Sequence, residues 1–274
     1  ASLNSATMTT KLYLDDTDLV KCEAVVVESR SGQGDGESGQ GDGESGQEAT
    51  AEVILDATVV YPQGGGQPSD KATISSVDGS VVFRVDKAVL DRDADVVVHT
   101  GAYMPGSEPL VPGMPVVVAV DAELRALHAR LHSAGHLLDA AMRNLGYADL
   151  EPTRGAHAPH LAYVEYAGVI ADPGERERLP QRLAAECAAL IAAGGDVRVR
   201  HVARDDVAAE CGLDEIPAYL PETMPTVRIV GMADAACPCG GTHVKNVATI
   251  GGIYKSAIKD YPSIAANPAH GAGD

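Results

Sequence analysis

Three histidines, His128, His132 and His136, recur every four residues. On an α-helix that interval returns to one face, with neighbours about 6 Å apart along the axis. Two imidazoles so placed can converge on one metal ion, although ordinary helix-surface or core histidines show the same spacing. Later in the chain comes Cys237-Pro238-Cys239-Gly240-Gly241-Thr242-His243. Cys239 and His243 share a Gly-rich turn that lets the backbone fold tightly around an ion. A thiolate with imidazoles suits Zn2+; a buried cysteine beside a surface histidine is the plain alternative. Two histidines of the first group with Cys239 and His243 complete a tetrahedral set. The spacing alone leaves open whether His128 and His132 or His132 and His136 supply the first pair. A helical metalloprotease motif is excluded, because it needs Glu directly after the first His and Ser133 follows His132.

A third feature is Tyr61-Pro62-Gln63-Gly64-Gly65-Gly66-Gln67-Pro68-Ser69-Asp70. Consecutive glycines expose backbone N–H groups and permit close approach by a ligand, and Gln67 could offer its amide to a nucleotide or peptide-like group. Taken as sequence alone, a hairpin turn explains the stretch more simply.

The elements that must position these residues fall into two groups. Up to about Asp121, β-branched runs (Ala24–Val27, Val53–Leu55, Val81–Phe83, Val96–Val98, Val116–Val118) alternate with Gly, Pro, Asp and Ser. This pattern predicts short strands of a small antiparallel barrel or sandwich. Within it, Ser31–Gln47 repeats SGQGDGE; such a composition cannot bury enough apolar area to offset chain entropy, so a flexible acidic loop over 31–48 is expected. From Asp121, a plausible N-cap, Leu124, Leu127, Leu131, Leu138 and Met142 recur at helical spacing as far as Gly146. A strand follows at Ala162–Tyr166 and an Ala-rich helix at about Gly174–Ala193, ended by Gly194-Gly195. Further strands are expected at Val197–Val202, Val227–Val230 and Ile250–Ile258. The fold class is α+β, with a β-barrel-like domain over 8–118 that carries the glycine motif and an α+β domain over 121–262.

The 274 residues are 45% hydrophobic with no Trp and one Phe, so the core must rest on Ala, Val, Leu and Ile. The net charge of −18 opposes nonspecific adhesion to nucleic acid; an RNA partner would have to be met by a local basic surface. Five cysteines, an odd number with one close pair, do not suggest a disulfide framework. No leader-like or membrane-length apolar run is present, so a soluble cytoplasmic protein is expected.

Together, His132-Ser133-Ala134-Gly135-His136-Leu137-Leu138, Cys239-Gly240-Gly241-Thr242-His243, the Tyr61-Pro62 to Gln67-Pro68 stretch and Lys11-Leu12-Tyr13-Leu14 resemble the alanyl-tRNA editing proteins (AlaX), relatives of the editing domain of alanyl-tRNA synthetase. The threonyl-tRNA synthetase editing domain is similar at a greater distance. The resemblance selects His132 and His136 over His128, and Cys239 over Cys237, leaving His128 as a supporting or core residue. It implies an editing domain of the threonyl/alanyl-tRNA synthetase second-additional-domain type, with Zn2+ held by His132, His136, Cys239 and His243. It further implies hydrolysis of the ester joining serine, with glycine as a second candidate, to tRNA(Ala). Gly65, Gly66, Gln67 and Thr153 become the substrate or tRNA contacts, and Gln67 and Thr153 the catalytic candidates, Thr153 as the partner of the serine hydroxyl.

Four protein ligands are the pattern of structural zinc. Direct participation in hydrolysis would therefore need one of them, most simply His243, to yield, unless the ion only orients the substrate. The alternatives are a noncatalytic zinc-stabilised tRNA-binding module and an editing domain for a different mischarged tRNA. Lys71, Arg125, Arg130, Arg154, Lys245, Lys255 and Lys259 are the basic residues near the motifs. The sequence does not fix the oligomeric state, and a monomer is compatible with it.

Overall fold

A computed structural model describes residues 8–31 and 50–253. The repeat at 32–47 and the residues after 253, Lys255 and Lys259 among them, lie outside the described residues.

A parallel pair of two-residue strands, β1 (Thr10–Lys11) and β4 (Ala57–Thr58), tethers the N-terminal segment. The principal strands before Asp121 are β2 (Lys21–Ser31), β3 (Ala51–Leu55), β5 (Ala72–Ser76), β6 (Val82–Asp91), β7 (Val96–Tyr103) and β8 (Pro115–Val120). They close into a six-stranded barrel in the order β2-β3-β7-β6-β5-β8, antiparallel at every seam. Closure follows from period-two alternation: Val116, Val118 and Val120 turn inward with Phe83, Val85, Val53 and Leu55, and all are buried. A barrel this narrow has room for small branched side chains, which accounts for a core with a single Phe.

Asp121 accepts a hydrogen bond from the Leu124 backbone N–H at 3.0 Å and caps helix α1 (Ala122–Asn144). The chain continues through a hairpin, β9 (Pro152–Ala158) and β10 (Leu161–Tyr166), into helix α2 (Pro173–Ala193). Strands β11 (Arg198–Ala203), β12 (Thr226–Met232) and β13 (Ala235–Pro238) form an antiparallel sheet, and the short helix α3 (Val207–Cys211) packs against β12 and β13. Leu137, Ala141 and Met142 of α1 meet Leu179, Leu183 and Cys187 of α2 in one core cluster, and Val207 and Cys211 lie with Val227 and Ile229 in another. The mixed helices and strands and the six-stranded barrel agree with the α+β expectation. Among the described residues, no helix is long and apolar enough to cross a membrane.

The strand expected at Ile250–Ile258 is not formed where the chain is described. The Asn246 side chain accepts from the Ala248 N–H at 3.0 Å, which starts a single 3-10 turn over Val247–Ile250, and Gly251 at φ 90° ends it. Local cap chemistry overrides the β-propensity of this stretch.

Candidate metal centre

The centre is assembled from three elements. Helix α1 contributes His132 and His136, and the turn after β13 contributes Cys239 and His243. One donor atom from each of the four lies within 4.8 Å of every other. Cys239 Sγ stands 3.5 Å from His132 Nε2 and 3.3 Å from His243 Nε2. The turn is tight because it must be: a methyl group on Gly241 would come within 2.1 Å of the His132 ring.

The third element is the barrel's glycine motif. Gly64 and Gln67 exchange backbone hydrogen bonds at 3.1 and 2.9 Å around Gly65 (φ 53°) and Gly66 (φ 78°). Two successive positive φ values define a type I′ turn, which demands residues of this kind. The close approach these glycines permit is to β9, since a Cβ on Gly66 would fall 2.3 Å from the Gly155 carbonyl oxygen. The turn delivers Gln67 to the centre, where it is 1% exposed. Its Oε1 accepts from the Thr242 backbone N–H at 3.1 Å, while its Nε2 donates to Thr242 Oγ1 at 2.9 Å. This pair fixes which end of the amide is oxygen. The same Oε1 lies 2.8 Å from His132 Nδ1, so that nitrogen must carry the proton and Nε2 keeps its lone pair toward Cys239.

The other two histidines are held in a similar way, His243 Nδ1 lying 3.3 Å from Ser133 Oγ and His136 Nδ1 3.2 Å from Cys237 Sγ. Gln67 is therefore engaged with the protein, and it also borders the open space beside the glycine turn. Cys237 touches the centre from outside and is not one of the four grouped donors.

Burial, reinforced by the neighbouring imidazoles, lowers the pKa of His132 and His243 well below the usual histidine value; His136 is lowered to about 4, chiefly by burial. Neutral imidazole is the form that binds a metal. Burial raises the Cys239 thiol, while a hydrogen bond from the Gly241 N–H at 3.3 Å and the Arg228 guanidinium favour its thiolate. Three neutral imidazoles with their outer nitrogens anchored, and one thiol beside a cation, are a donor set that fits a metal ion.

Other sequence candidates fall in varied places. Thr153 on β9 is exposed and donates to the Glu165 carbonyl at 3.3 Å. Gly65 is exposed at the turn's tip, where a Cβ would meet nothing within 4 Å. His128 is buried with Nδ1 unpartnered. Arg125, expected near RNA, is 2% exposed. Its Nε donates to the Asp70 carboxylate at 3.0 and 3.1 Å and its Nη1 to the Thr17 carbonyl at 2.9 Å, and it also reaches the Val59 carbonyl. It clamps α1 to the barrel and is unavailable to a partner. Lys245 is exposed but paired with Asp16 at 2.9 Å and Asp18 at 2.7 Å; Lys71, Arg130 and Arg154 lie at the surface.

No motif or spacing pointed to His157, whose ring stacks on His132 at 4.3 Å between centroids. Strand β9 reads Pro-Thr-Arg-Gly-Ala-His-Ala and carries little β-propensity. Arg228, whose Nη1 donates to the Cys239 carbonyl at 2.6 Å, was equally silent. Thr242 and Ser133 stood inside the quoted motifs, but only the folded contacts show what they support.

Barrel, helix and turn thus define an α+β protein equipped to hold a metal ion with three imidazoles and a thiol. No family model matches the chain. It is similar to the alanine–tRNA ligase of Halobacterium salinarum, with 30% identity over 253 residues that cover 89% of this chain and 24% of the ligase. The alanyl-tRNA editing protein AlaX-L of Pyrococcus horikoshii is 27% identical over 246 residues, which cover 89% of this chain and 53% of that protein. The alanine–tRNA ligase of Parasynechococcus marenigrum is 30% identical over 210 residues, 73% of this chain and 21% of the ligase. The chain is a homologue of the alanyl-tRNA editing proteins and of part of the alanine–tRNA ligases, and it spans about half the length of the former and about a quarter of the latter.

Proposed function

We propose that the chain is a trans-editing hydrolase that deacylates tRNA(Ala) mischarged with serine, with glycine as the second candidate, through an editing domain of the threonyl/alanyl-tRNA synthetase type beginning near Asp121. The observation that carries this reading is the convergence of His132, His136, Cys239 and His243, in a homologue of alanyl-tRNA editing proteins. These four would hold Zn2+, which when bound supplies Lewis acidity and a fixed positive charge.

An aminoacyl ester is already activated, so the protein's task is to place it and a water molecule. Water adds to the ester carbonyl, the bond from that carbon to the ribose oxygen breaks, and the amino acid leaves with the tRNA hydroxyl restored. Gln67 holds the His132 ring in register, and Ser133 and Cys237 do the same for His243 and His136. Gly65, Gly66, Gln67 and Thr153 are the proposed contacts to the tRNA end. A cavity of about 500 Å3 bordered by Gln63, Gly66, Gln67, Lys87 and Ala158 offers room beside Gly66.

A set of four protein donors also favours a second reading, a noncatalytic module in which zinc only stabilises a tRNA-binding fold. One assay separates the two. Purified protein should hydrolyse Ser-tRNA(Ala) and spare Ala-tRNA(Ala), and should lose that activity with a chelator or with His132→Ala. Unchanged Ser-tRNA(Ala) in the presence of the parent protein would leave the binding module as the better account.

A further inference from the structure

The outer face of the barrel carries a cation that the fold does not use. In β6, Phe83 and Val85 point inward, and strict alternation would turn Lys87 and Val89 inward after them. A β-bulge between Val85 and Lys87 inserts Asp86 and resets the pleat. Ala88 is then the buried residue, while Lys87 and Val89 stand outside. The glycine motif grips the strand at this point. The Gln63 backbone N–H donates to the Ala88 carbonyl at 2.9 Å, and the Ala88 N–H donates to Ser69 Oγ at 2.7 Å. Lys87 and Val89 are thereby held beside the stretch that carries Gln67.

All three border the cavity described above, together with Gln63, Pro68 and Ala158. Among the described residues that line it, Lys87 alone is charged. The nearest carboxylate in sequence, Asp86, is occupied by Arg84 Nε at 3.1 Å. Among the described residues, the Lys87 ammonium makes neither an ion pair nor a hydrogen bond. A chain with 39 acidic and 21 basic residues has carboxylates to spare, yet none of the described ones meets this lysine. A bulge that re-aims a side chain is a device found beside functional sites. Here it takes a lysine off the barrel's inner face and sets it, unpaired, on a cavity wall.

We propose that this cavity seats a phosphodiester of the single-stranded 3′ end of tRNA, with Lys87 pairing its phosphate. The proposal rests on the editing reading and deepens it, by placing the strand that leads to the ester. Gln67 is the link, since it borders the cavity while its amide meets His132 and Thr242. An acylated end at the centre brings its preceding phosphates to the rim, where a free cation answers them. In a protein of net charge −18 such a cation matters more, because the overall field repels the strand. Val89, Pro68 and Ala158 supply apolar walls around the one charged group, the usual composition of a ligand cavity. A phosphate contact positions a strand without reading its sequence. Lys87 therefore serves binding, and the ester chemistry stays with the centre.

The test uses the full chain with tRNA(Ala), deacylated or carrying a non-hydrolysable seryl amide, across a series of salt concentrations. Lys87→Gln should weaken both by roughly 5-fold at low salt. It should also reduce the slope of log affinity against log salt by about 0.7, the value for one single-strand phosphate. Lys87→Arg should keep the parent's affinity and slope. Lys21→Gln removes the same charge from exposed β2, across the barrel from β6, and should change neither. In hydrolysis of Ser-tRNA(Ala), Lys87→Gln should raise KM and leave kcat unchanged. A neutral methylphosphonate placed at each terminal phosphate in turn should, at one position, weaken the parent and not Lys87→Gln. Equal affinity and slope in Lys87→Gln, with Ser-tRNA(Ala) still hydrolysed by the parent, overturns the proposal and leaves the editing reading intact. Lys87-dependent binding by a parent that hydrolyses no ester overturns the editing reading and supports the phosphate site. An equal loss in Lys21→Gln reduces the effect to overall charge and overturns the proposal. So does Lys87-dependent binding of adenosine 5′-monophosphate with no such dependence for tRNA, which would make the cavity a free-nucleotide site. Should Lys87→Gln fail to fold, labelling of the parent with an amine-reactive reagent decides. tRNA should shield Lys87 and not Lys21, and equal labelling of Lys87 with and without tRNA overturns the proposal.

Discussion

The barrel and the region beyond Asp121 both bury imidazoles, and they keep them in different company. In the barrel, His99 is 0% exposed, with Nδ1 2.9 Å from the Val53 carbonyl and Nε2 2.9 Å from Thr58 Oγ1. Both nitrogens are answered by protein, so nothing remains to bind an ion. At the centre, His132, His136 and His243 each give one nitrogen to an outer partner and leave the other among their neighbours. Burial alone does not mark a functional histidine; convergence of the remaining nitrogens with other donors does.

The largest expected effect tests whether the two regions can be treated apart. Arg125 and Asp70 form a buried pair joining α1 to the barrel. Removing one partner leaves an uncompensated buried charge, so Arg125→Ala should cost about 3–5 kcal/mol in denaturant unfolding. A loss below about 1 kcal/mol would mean that the junction carries little of the fold.

A second experiment isolates the saturated histidine. Burial lowers the His99 pKa from 6.5 to about 4. Between those values the unfolded chain takes up a proton that the folded chain refuses, so stability falls as the pH drops through this window and levels off below it. The contribution amounts to about 3 kcal/mol. Other buried histidines titrate nearby, so the readout is the difference in pH slope between the parent and His99→Gln; parallel slopes would contradict the assignment. The smallest effect sharpens the contrast. Gln67→Ala should weaken Zn2+ binding by roughly 10–100-fold, measured by competition with a chromophoric chelator, while His99→Gln leaves the affinity unchanged. Equal affinities in all three proteins would show that the amide does not orient His132.

Much of this arrangement was legible before folding. The N-cap at Asp121, the four-residue histidine interval and the Cys239-to-His243 turn are local patterns, and local patterns survive in sequence. The barrel strands were equally readable from their β-branched runs. What could not be read depends on contacts between distant segments. Gln67 meets Thr242 across 175 residues, and nothing in either stretch announces the other. Arg125 looked like a surface cation because sequence does not reveal that Asp70 lies beneath it. His157 was hidden because β9 owes its form to pairing with β10 and to the glycine turn, and little to its own propensity.

The amide bridge from Gln67 to His132 has one more consequence. A fragment expressed from Asp121 onward would contain every donor and still be an inferior host, because the group that sets the proton on His132 would be missing. Ownership of the centre is shared across the length of the polypeptide. Any recombination that exchanged the barrel for an unrelated module would have to bring its own carbonyl to that spot.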